Sequence, residues 1–272
     1  MAATSADGRV TACVDSAAAE IPTAPSQRYA QGVIAHAWHD DPAQRMVLGE
    51  FDRLHAALTA PRTGWLSRWR TPIAPQGIYL CGAVGRGKTM LMDLFVESLP
   101  SGTAERVHFH RFMLDVHAQL RNLGEHSDPL KAVAARLARR ARVLCLDEFQ
   151  VEDIGDAMIL ANLLRALFHV GAALVTTSNT PPRGLYRDGL QRARFEPAIA
   201  LIEGHCRILE LVSPHDWRLR ALTHAPVYLT PPGAAAEGAL SALFDNLARG
   251  PSQQGGALRV NGRDIPVRRA CA

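Results

Sequence analysis

The chain has 272 residues, of which 47% are hydrophobic and 21% are charged. This composition is typical of a globular protein with a sizeable core and excludes a wholly disordered chain. No run approaches the roughly 18 consecutive apolar residues of a transmembrane helix, so any membrane association is expected to be peripheral at most. The net charge of +4 permits contact with nucleic acid without arguing for it.

The first 26 residues are predicted to form a disordered tail, because they are rich in Ala, Ser, Thr and Pro. They lack the basic segment followed by an apolar one that a secretory signal needs. The acidic residues Asp7, Asp15 and Glu20 argue against a mitochondrial transit peptide, which is poor in acids. The segment therefore predicts a cytoplasmic protein.

Cysteine and histidine usage gives the same indication. The spacing contains no CxxC, which predicts reduced thiols and not disulfides. His108 and His110 alternate in a strand-like run, and the scattered histidines argue against a His/Cys metal site. The five cysteines are Cys13, Cys81, Cys145, Cys206 and Cys271.

A helical extension is predicted over residues 27–75. Asp41 precedes Pro42, a combination typical of a helix N-cap followed by proline at the first helical position. Pro72 and Pro75 then interrupt the pattern. The apolar stripe of this extension is expected at Met46, Val47, Phe51, Leu54 and Leu58.

Residues 76–225 alternate short apolar runs with helical segments, which predicts a three-layer α/β core with a parallel sheet. Beyond it, residues 226–272 contain a hairpin signal centred on Asn261 and Gly262. The five predicted strands cover residues 77–82, 105–112, 142–147, 172–179 and 206–212.

The glycine-rich turn GAVGRGKT has the form G-x-x-x-x-G-K-T and lies between a predicted strand and a predicted helix, the context that a P-loop requires. Its glycines let the backbone surround a phosphate, and the helix N-terminus adds positive charge. We expect Lys88 to pair with the β- and γ-phosphates and Thr89 to bind Mg²⁺. Lys88 is one of only two lysines, which argues against a chance match. The predicted nucleotide-binding residues are Gly82, Ala83, Val84, Gly85, Arg86, Gly87, Lys88 and Thr89.

An acidic pair follows the third predicted strand, 59 residues after Lys88. Asp147 is expected to hold Mg²⁺, and Glu148 to polarise the attacking water. The next strand ends at Asn179, which could contact both the γ-phosphate and that water. The pattern predicts an ATPase that uses ATP and Mg²⁺.

Three arginines follow Asn179: Arg187, Arg192 and Arg194. Such a cluster is usually a solvated surface, but an active site completed by a neighbouring subunit needs an exposed arginine. Arg194 is the first candidate for this role and Arg192 the alternative. Their presence favours a homo-oligomer.

Other classes of P-loop protein carry motifs of their own, which this sequence lacks in two cases. A GTPase would carry N/T-K-x-D, but the second lysine lies in PLKAVA. The segment PSQQGG does not match the LSGGQ signature of ABC-type ATPases. A small-molecule kinase stays an alternative, although it does not need the Asp147–Glu148 pair.

The segments GIYLCGAVGRGKTMLMDLF, VHFHRFMLDVH, LCLDEFQVEDIGDAMIL and TTSNTPPRGLYRDGLQRARFEPAI, with DWRLR, together resemble the ZapE family of AAA+ ATPases. The resemblance covers about residues 27–267. It implies an AAA+ core of strand order 5-1-4-3-2, ATP hydrolysis and association with the polymer of the bacterial division ring. By motif position, Lys88 and Thr89 match the phosphate and Mg²⁺ ligands, Asp147 and Glu148 the acidic pair, and Asn179 the sensor residue.

The resemblance also implies that family members continue beyond the hairpin into a lid-like portion, so this chain is expected to be truncated at its C-terminus. Without a lid, a nucleotide-dependent binding module with little hydrolysis is one alternative. A nucleic-acid-linked AAA+ loader is another, because 28 of the 30 basic residues are arginine. The sequence contains no helix-turn-helix, zinc finger or aromatic stacking platform that would support a nucleic-acid partner. The resemblance instead implies a protein partner.

Overall fold

The computed structural model describes residues 23–60, 74–123, 128–213, 229–248, 250–260 and 263–271. These residues belong to two compact units, divided between Pro214 and His215. The predicted helical DWRLRAL segment and most of APVYLT lie outside the described residues, as does the tail up to residue 22. The domain boundaries expected after residues 26, 75 and 225 stay predictions.

Among the described residues before the sheet, two helices are formed, α1 (Pro25–Ile34) and α2 (Pro42–Thr59). The first begins two residues before the predicted extension. Asp41 caps α2 as predicted, since its Oδ1 accepts a hydrogen bond of 2.9 Å from the Ala43 amide. The prediction for Met46 is wrong, because its side chain is 81% exposed. At about 100° per residue, Met46 lies about 110° from the centre of the stripe formed by the other four predicted positions.

The core sheet contains five parallel strands in the order β2-β3-β4-β1-β5, which is the order 5-1-4-3-2 that the family resemblance implies. Every residue of β1, β3 and β4 is buried, as expected for central strands covered on both faces. The strands are β1 (Gly77–Cys81), β2 (Ala104–His108), β3 (Val143–Asp147), β4 (Ala173–Ser178) and β5 (Cys206–Glu210).

Helices cover both faces of the sheet and complete three layers. One apolar cluster is formed with α1, α2 and α3, and the other with α4, α5, α6 and α7. The predicted α/β P-loop fold is thus confirmed. The remaining helices of this unit are α3 (Lys88–Ser98), α4 (Phe109–Leu123), α5 (Pro129–Arg140), α6 (Ile154–His169) and α7 (Glu196–His205).

The second strand is shorter than predicted. It ends at His108, and Phe109 already begins α4, so His110 belongs to a helix and does not alternate with His108 on a strand. Phe109 is buried, with its ring centroid 4.5 Å from that of Phe149. This packing draws the chain away from the sheet edge directly after β2.

In the unit that follows residue 214, the described residues form α8 (Ala234–Leu247) and four short strands. The predicted hairpin is present as antiparallel pairing of β7 (Ala257–Val260) with β8 (Arg263–Pro266). Its turn, residues 261–262, lies outside the described residues. A second antiparallel pair joins β6 (Ser252–Gln254) to β9 (Arg269–Cys271).

Cysteines in the described residues are thiols, as predicted. Cys81, Cys145 and Cys206 are buried and Cys271 is exposed. Burial raises the pKa of the Cys206 thiol to about 12, so it behaves as a small apolar side chain. Among the described helices, none is both long enough and apolar enough to cross a membrane.

Candidate active site

The residues singled out by the sequence gather where the parallel strands β1, β3 and β4 end. The glycine-rich turn follows β1, Asp147 ends β3, and Asn179 follows β4. Ligands of open α/β sheets bind at this carboxyl edge, because the loops leaving neighbouring strands diverge there and the helices that follow point their N-termini toward it. The fold therefore creates one site from three separate segments.

The backbone of the turn depends on glycine at two positions. Gly87 has φ +91°, and a Cβ there would come within 2.5 Å of Gln44 Nε2. A Cβ on Gly82 would lie 2.6 Å from the carbonyl oxygen of Leu211, which follows β5. Side chains at these positions would push the turn away from α2 and from the sheet.

Lys88 connects the turn to the end of β4. Its ammonium group donates hydrogen bonds to the carbonyl oxygens of Gly82 (2.8 Å) and Ala83 (2.9 Å) and to Asn179 Oδ1 (3.0 Å). The side chain is 9% exposed, so the charge is held at the site and not in bulk solvent. Two of the predicted residues, 91 positions apart in sequence, are thereby in direct contact.

Asp147 is the most deeply buried acid of the site, with 1% exposure. Its Oδ1 accepts hydrogen bonds from the Thr89 hydroxyl at 3.3 Å and from the Thr177 hydroxyl. Its Oδ2 accepts from Arg106 Nη2 at 2.8 Å. The carboxylate and the Thr89 hydroxyl are adjacent oxygen donors of the kind that Mg²⁺ prefers.

Glu148 has an exposed side chain on a constrained backbone. Its φ of +55° is uncommon for a residue other than glycine and costs on the order of 1–3 kcal/mol. The amide of Glu148 compensates by donating to Asp147 Oδ1 (3.2 Å) and Thr177 Oγ1 (3.1 Å). The carboxylate is thereby directed out of the core while its main chain stays anchored.

Asn179 lies at the boundary between this cluster and a cavity of about 550 Å³. The cavity is lined in part by Glu152, Tyr186 and Arg187. The amide side chain of Asn179 can therefore contact both Lys88 and a group that enters from this side.

The three arginines lie apart from the cluster and differ in their contacts. Arg192 donates to the carbonyl oxygens of Leu185 (2.9 Å) and Arg183 (2.8 Å) and so supports its own loop. Arg194 is exposed at the end of a short 3₁₀ turn, and its guanidinium has no hydrogen bond or ion pair with the part of the chain that the structure describes. Of the two candidates, Arg194 is the one available to another molecule.

Sequence reasoning missed several residues of the site. Arg106 and Thr177 contact Asp147 directly, and Asp93 holds Arg106 through a 3.0 Å ion pair. Burial raises the pKa of Asp93, and the adjacent Arg106 opposes this effect. The polar end of β4 gave a signal for Thr177. No spacing rule identifies Arg106, which contacts Asp147 from the neighbouring strand β2.

Gln44 was also missed, although it contacts the glycine-rich turn. Its Nε2 donates to the Arg86 carbonyl oxygen at 2.9 Å, and its Oε1 accepts from the Tyr29 hydroxyl at 3.0 Å. Gln44 is only 2% exposed. The two N-terminal helices thus support the turn through one buried amide.

The chain is similar to known proteins in sequence. The family described as AFG1-like ATPase matches residues 23–272. The chain is 41% identical over 256 residues to the cell division protein ZapE of Escherichia coli K12, covering 89% of this chain and 68% of the relative. It is 42% identical over 214 residues to the zebrafish (Danio rerio) lactation elevated protein 1 homolog B, covering 74% of this chain and 42% of the relative. The structure of AMPPCP-bound DnaA from Aquifex aeolicus superposes with a TM-score of 0.44 at 14% identity, covering 77% of this chain and 59% of that one.

The chain belongs to the AFG1-like ATPase family. It is a P-loop ATPase with an AAA+ type core, and the assignment of the turn between β1 and α3 as its P-loop stays a prediction. The resemblance identified from the sequence is confirmed.

Replacing Gln44 by Glu tests the support that α2 gives to the P-loop. The change keeps the acceptor for Tyr29 but exchanges the donor facing the Arg86 carbonyl for a carboxylate oxygen, so repulsion displaces the loop. We expect a fluorescent ATP analogue to bind about tenfold more weakly, which corresponds to about 1.4 kcal/mol. The same charge change at the exposed Gln31 is the control. Equal affinities of the two variants would contradict the role of Gln44.

Proposed function

We propose that this AFG1-like ATPase binds ATP with Mg²⁺ at the edge described above and hydrolyses the β–γ phosphoanhydride bond there. The observation that carries this assignment is the connected set of Lys88, Asn179, Thr89 and Asp147, which joins the ends of three strands by hydrogen bonds. Such a set supplies both the positive charge and the oxygen ligands that a magnesium triphosphate requires.

The P-loop residues are assigned to the phosphates. The Lys88 ammonium lies beside the carbonyl oxygens of the loop, at a place where its three donors can turn toward the β- and γ-phosphate oxygens. Amides at the start of α3 face the same region with the positive end of the helix dipole. Nucleotide binding therefore uses Gly82, Ala83, Val84, Gly85, Arg86, Gly87, Lys88 and Thr89.

The residues present fit the proposed metal ion, since Asp147 Oδ1 and Thr89 Oγ1 are hard oxygen donors 3.3 Å apart. Mg²⁺ held there would supply positive charge that offsets the charge of the phosphates. Asp147 is the protein carboxylate that would hold it.

Glu148 is assigned to the attacking water. Its exposed carboxylate can accept a proton from that water, while its anchored main chain keeps the position constant. Asn179 contacts Lys88, so its amide is placed to orient the water relative to the γ-phosphate. Polarisation of the water and neutralisation of the phosphates then occur within one hydrogen-bonded group.

We propose that the energy released by ATP hydrolysis is used to act on a protein partner in bacterial cell division. The support is the similarity to ZapE, which covers 89% of this chain. On this proposal the target is the polymer of the division ring, and the cytoplasm is the compartment in which the two meet.

Replacing Lys88 by Ala is expected to abolish ATP binding, because the loop loses its cation. Replacing Glu148 by Gln is expected to retain binding and slow hydrolysis by about 10²–10⁴, the usual contribution of a general base. Phosphate release and nucleotide affinity are measured for both variants. Lys131→Ala is the matched control, since this lysine is exposed and paired only at the surface with Asp128. Phosphate release at the normal rate by both site variants would refute the assignment.

If a second copy of the chain completes the site, we expect Arg194 of that copy to act on phosphoryl transfer. Arg194→Ala is expected to lower kcat by about 10³–10⁵ with unchanged ATP binding, as for other arginines that act on phosphoryl transfer from a neighbour. Mixing it with Lys88→Ala protein should restore part of the activity, because each variant supplies the half that the other lacks. Arg192→Ala is the comparison variant. Its own loss of activity is expected to come only from a weakened loop, so mixing it with Lys88→Ala protein should not restore activity in the same way. Co-assembled mixtures without turnover would exclude Arg194 from this role.

The partner assignment is tested by steady-state hydrolysis with and without division-ring polymer. We expect the polymer to change the rate and to sediment with the Glu148→Gln variant in ATP, since that variant keeps the bound state. Stimulation by DNA with a steep salt dependence would instead favour a nucleic-acid-linked loader. Binding of polymer with no hydrolysis under any condition would favour a nucleotide-dependent binding module.

A further inference from the structure

We infer that Arg106 is a positioning residue for the metal-binding carboxylate, and that Asp93 holds Arg106 in place. The inference rests on the proposed assignment of Asp147 as the magnesium ligand. Arg106 itself lies on the edge strand β2, opposite Cys145 of β3, two residues before the pair His108–Asp147. Its side chain therefore runs along the sheet edge toward the end of β3.

The two oxygens of Asp147 have different partners. Oδ2 accepts from the Arg106 guanidinium at 2.8 Å, whereas Oδ1 is bonded by neutral donors, the hydroxyls of Thr89 and Thr177 among them. A carboxylate that is 1% exposed cannot turn toward water to find another partner. The ion pair therefore fixes which oxygen faces Thr89 and the phosphate-binding loop.

Arg106 is in turn oriented by α3. Its Nε contacts Asp93 Oδ1 at 3.0 Å, while Nη2 contacts Asp147, so two carboxylates are bonded by one planar group. Asp93 lies one helical turn after Thr89, the other proposed metal ligand. The chain Asp93–Arg106–Asp147 thus links the two elements that carry the metal ligands, β3 and α3.

The contacts Asp93–Arg106–Asp147 can position the metal-binding carboxylate, which an ion pair at the surface could not do. The Arg106 side chain is 30% exposed, but its partner oxygen is buried, so the pair is not exchanged freely with solvent. Groups that orient a metal ligand commonly change metal affinity by 10–100-fold when they are removed, although they do not touch the ion. Arg106 therefore sets the affinity for the metal and leaves the contacts with the nucleotide itself unchanged.

The test measures Mn²⁺, a paramagnetic substitute for Mg²⁺, by electron paramagnetic resonance in the presence of a non-hydrolysable ATP analogue. Arg106→Gln is expected to weaken Mn²⁺ binding by about 10–100-fold. Its affinity for the analogue in excess chelator is expected to equal that of the wild type. Asp93→Asn, which releases only the second contact of Arg106, should weaken Mn²⁺ binding less. The double variant should be no weaker than Arg106→Gln alone, since both act through one carboxylate.

Arg140→Gln is the matched control. Arg140 pairs with Glu105, the neighbour of Arg106 on β2. The substitution removes the same positive charge as Arg106→Gln, but at a residue that does not contact Asp147. Unchanged or tighter Mn²⁺ binding by Arg106→Gln would overturn the inference, as would an equal loss in Arg140→Gln. If Arg106→Gln does not fold, Arg106→Lys and Asp93→Asn decide, and wild-type metal affinity in both would overturn it.

Asp147→Asn separates this inference from the proposed function. Normal Mn²⁺ binding by that variant would remove Asp147 from the metal site and with it the proposed assignment. Loss of Mn²⁺ binding in Asp147→Asn, with wild-type behaviour of the Arg106 and Asp93 variants, would refute only the positioning role.

Discussion

The candidate active edge of this ATPase depends on one buried carboxylate. Asp147 ends the interior strand β3 with 1% exposure, and a buried charge is stable only where hydrogen bonds and an opposite charge replace water. Its donors come from β2, from α3, from β4 and from the main chain directly after it. Satisfying this group therefore brings together the same elements that carry the proposed catalytic residues.

A second constraint comes from the N-terminal helices. Tyr29 of α1 accepts a hydrogen bond from the Asp41 amide and donates to Gln44 of α2, which in turn reaches the P-loop carbonyl of Arg86. Asp41 also accepts from Ser213, which follows β5. These helices bury apolar residues against β1 and α3 and add polar contacts at the loop. They consequently pack against the ATPase core, and Gln44 contacts the glycine-rich turn.

The local patterns predicted most of the residues that meet at the candidate site, and the functions of these residues stay predictions. The glycine-rich turn, the acid pair and Asn179 could be predicted to lie together because each follows a strand in a parallel sheet, where strand ends meet by necessity. Positions defined by contacts between distant elements were not recognised. Arg106 is brought to Asp147 by the register of β2 on β3, which the sequence does not reveal. Met46 is exposed although it is apolar and adjacent to the buried Val47, so hydrophobicity alone does not separate the two positions. Arg192 differs from Arg194 in donating hydrogen bonds to carbonyl oxygens of its own loop, a contact that the sequence does not predict.

The sequence by itself determined the fold class and, through the family resemblance, the strand order, and it predicted the residues of the candidate nucleotide site. It could do so because a glycine turn, a strand-terminal acid and helical periodicity are local features with local physical causes. Only the tertiary structure decided how each oxygen of Asp147 is bonded, that Arg192 and not Arg194 contacts carbonyl oxygens of its own loop, and that Gln44 contacts the glycine-rich turn. Those properties depend on distances between residues far apart in the chain, and such distances are set by the packing of the whole core.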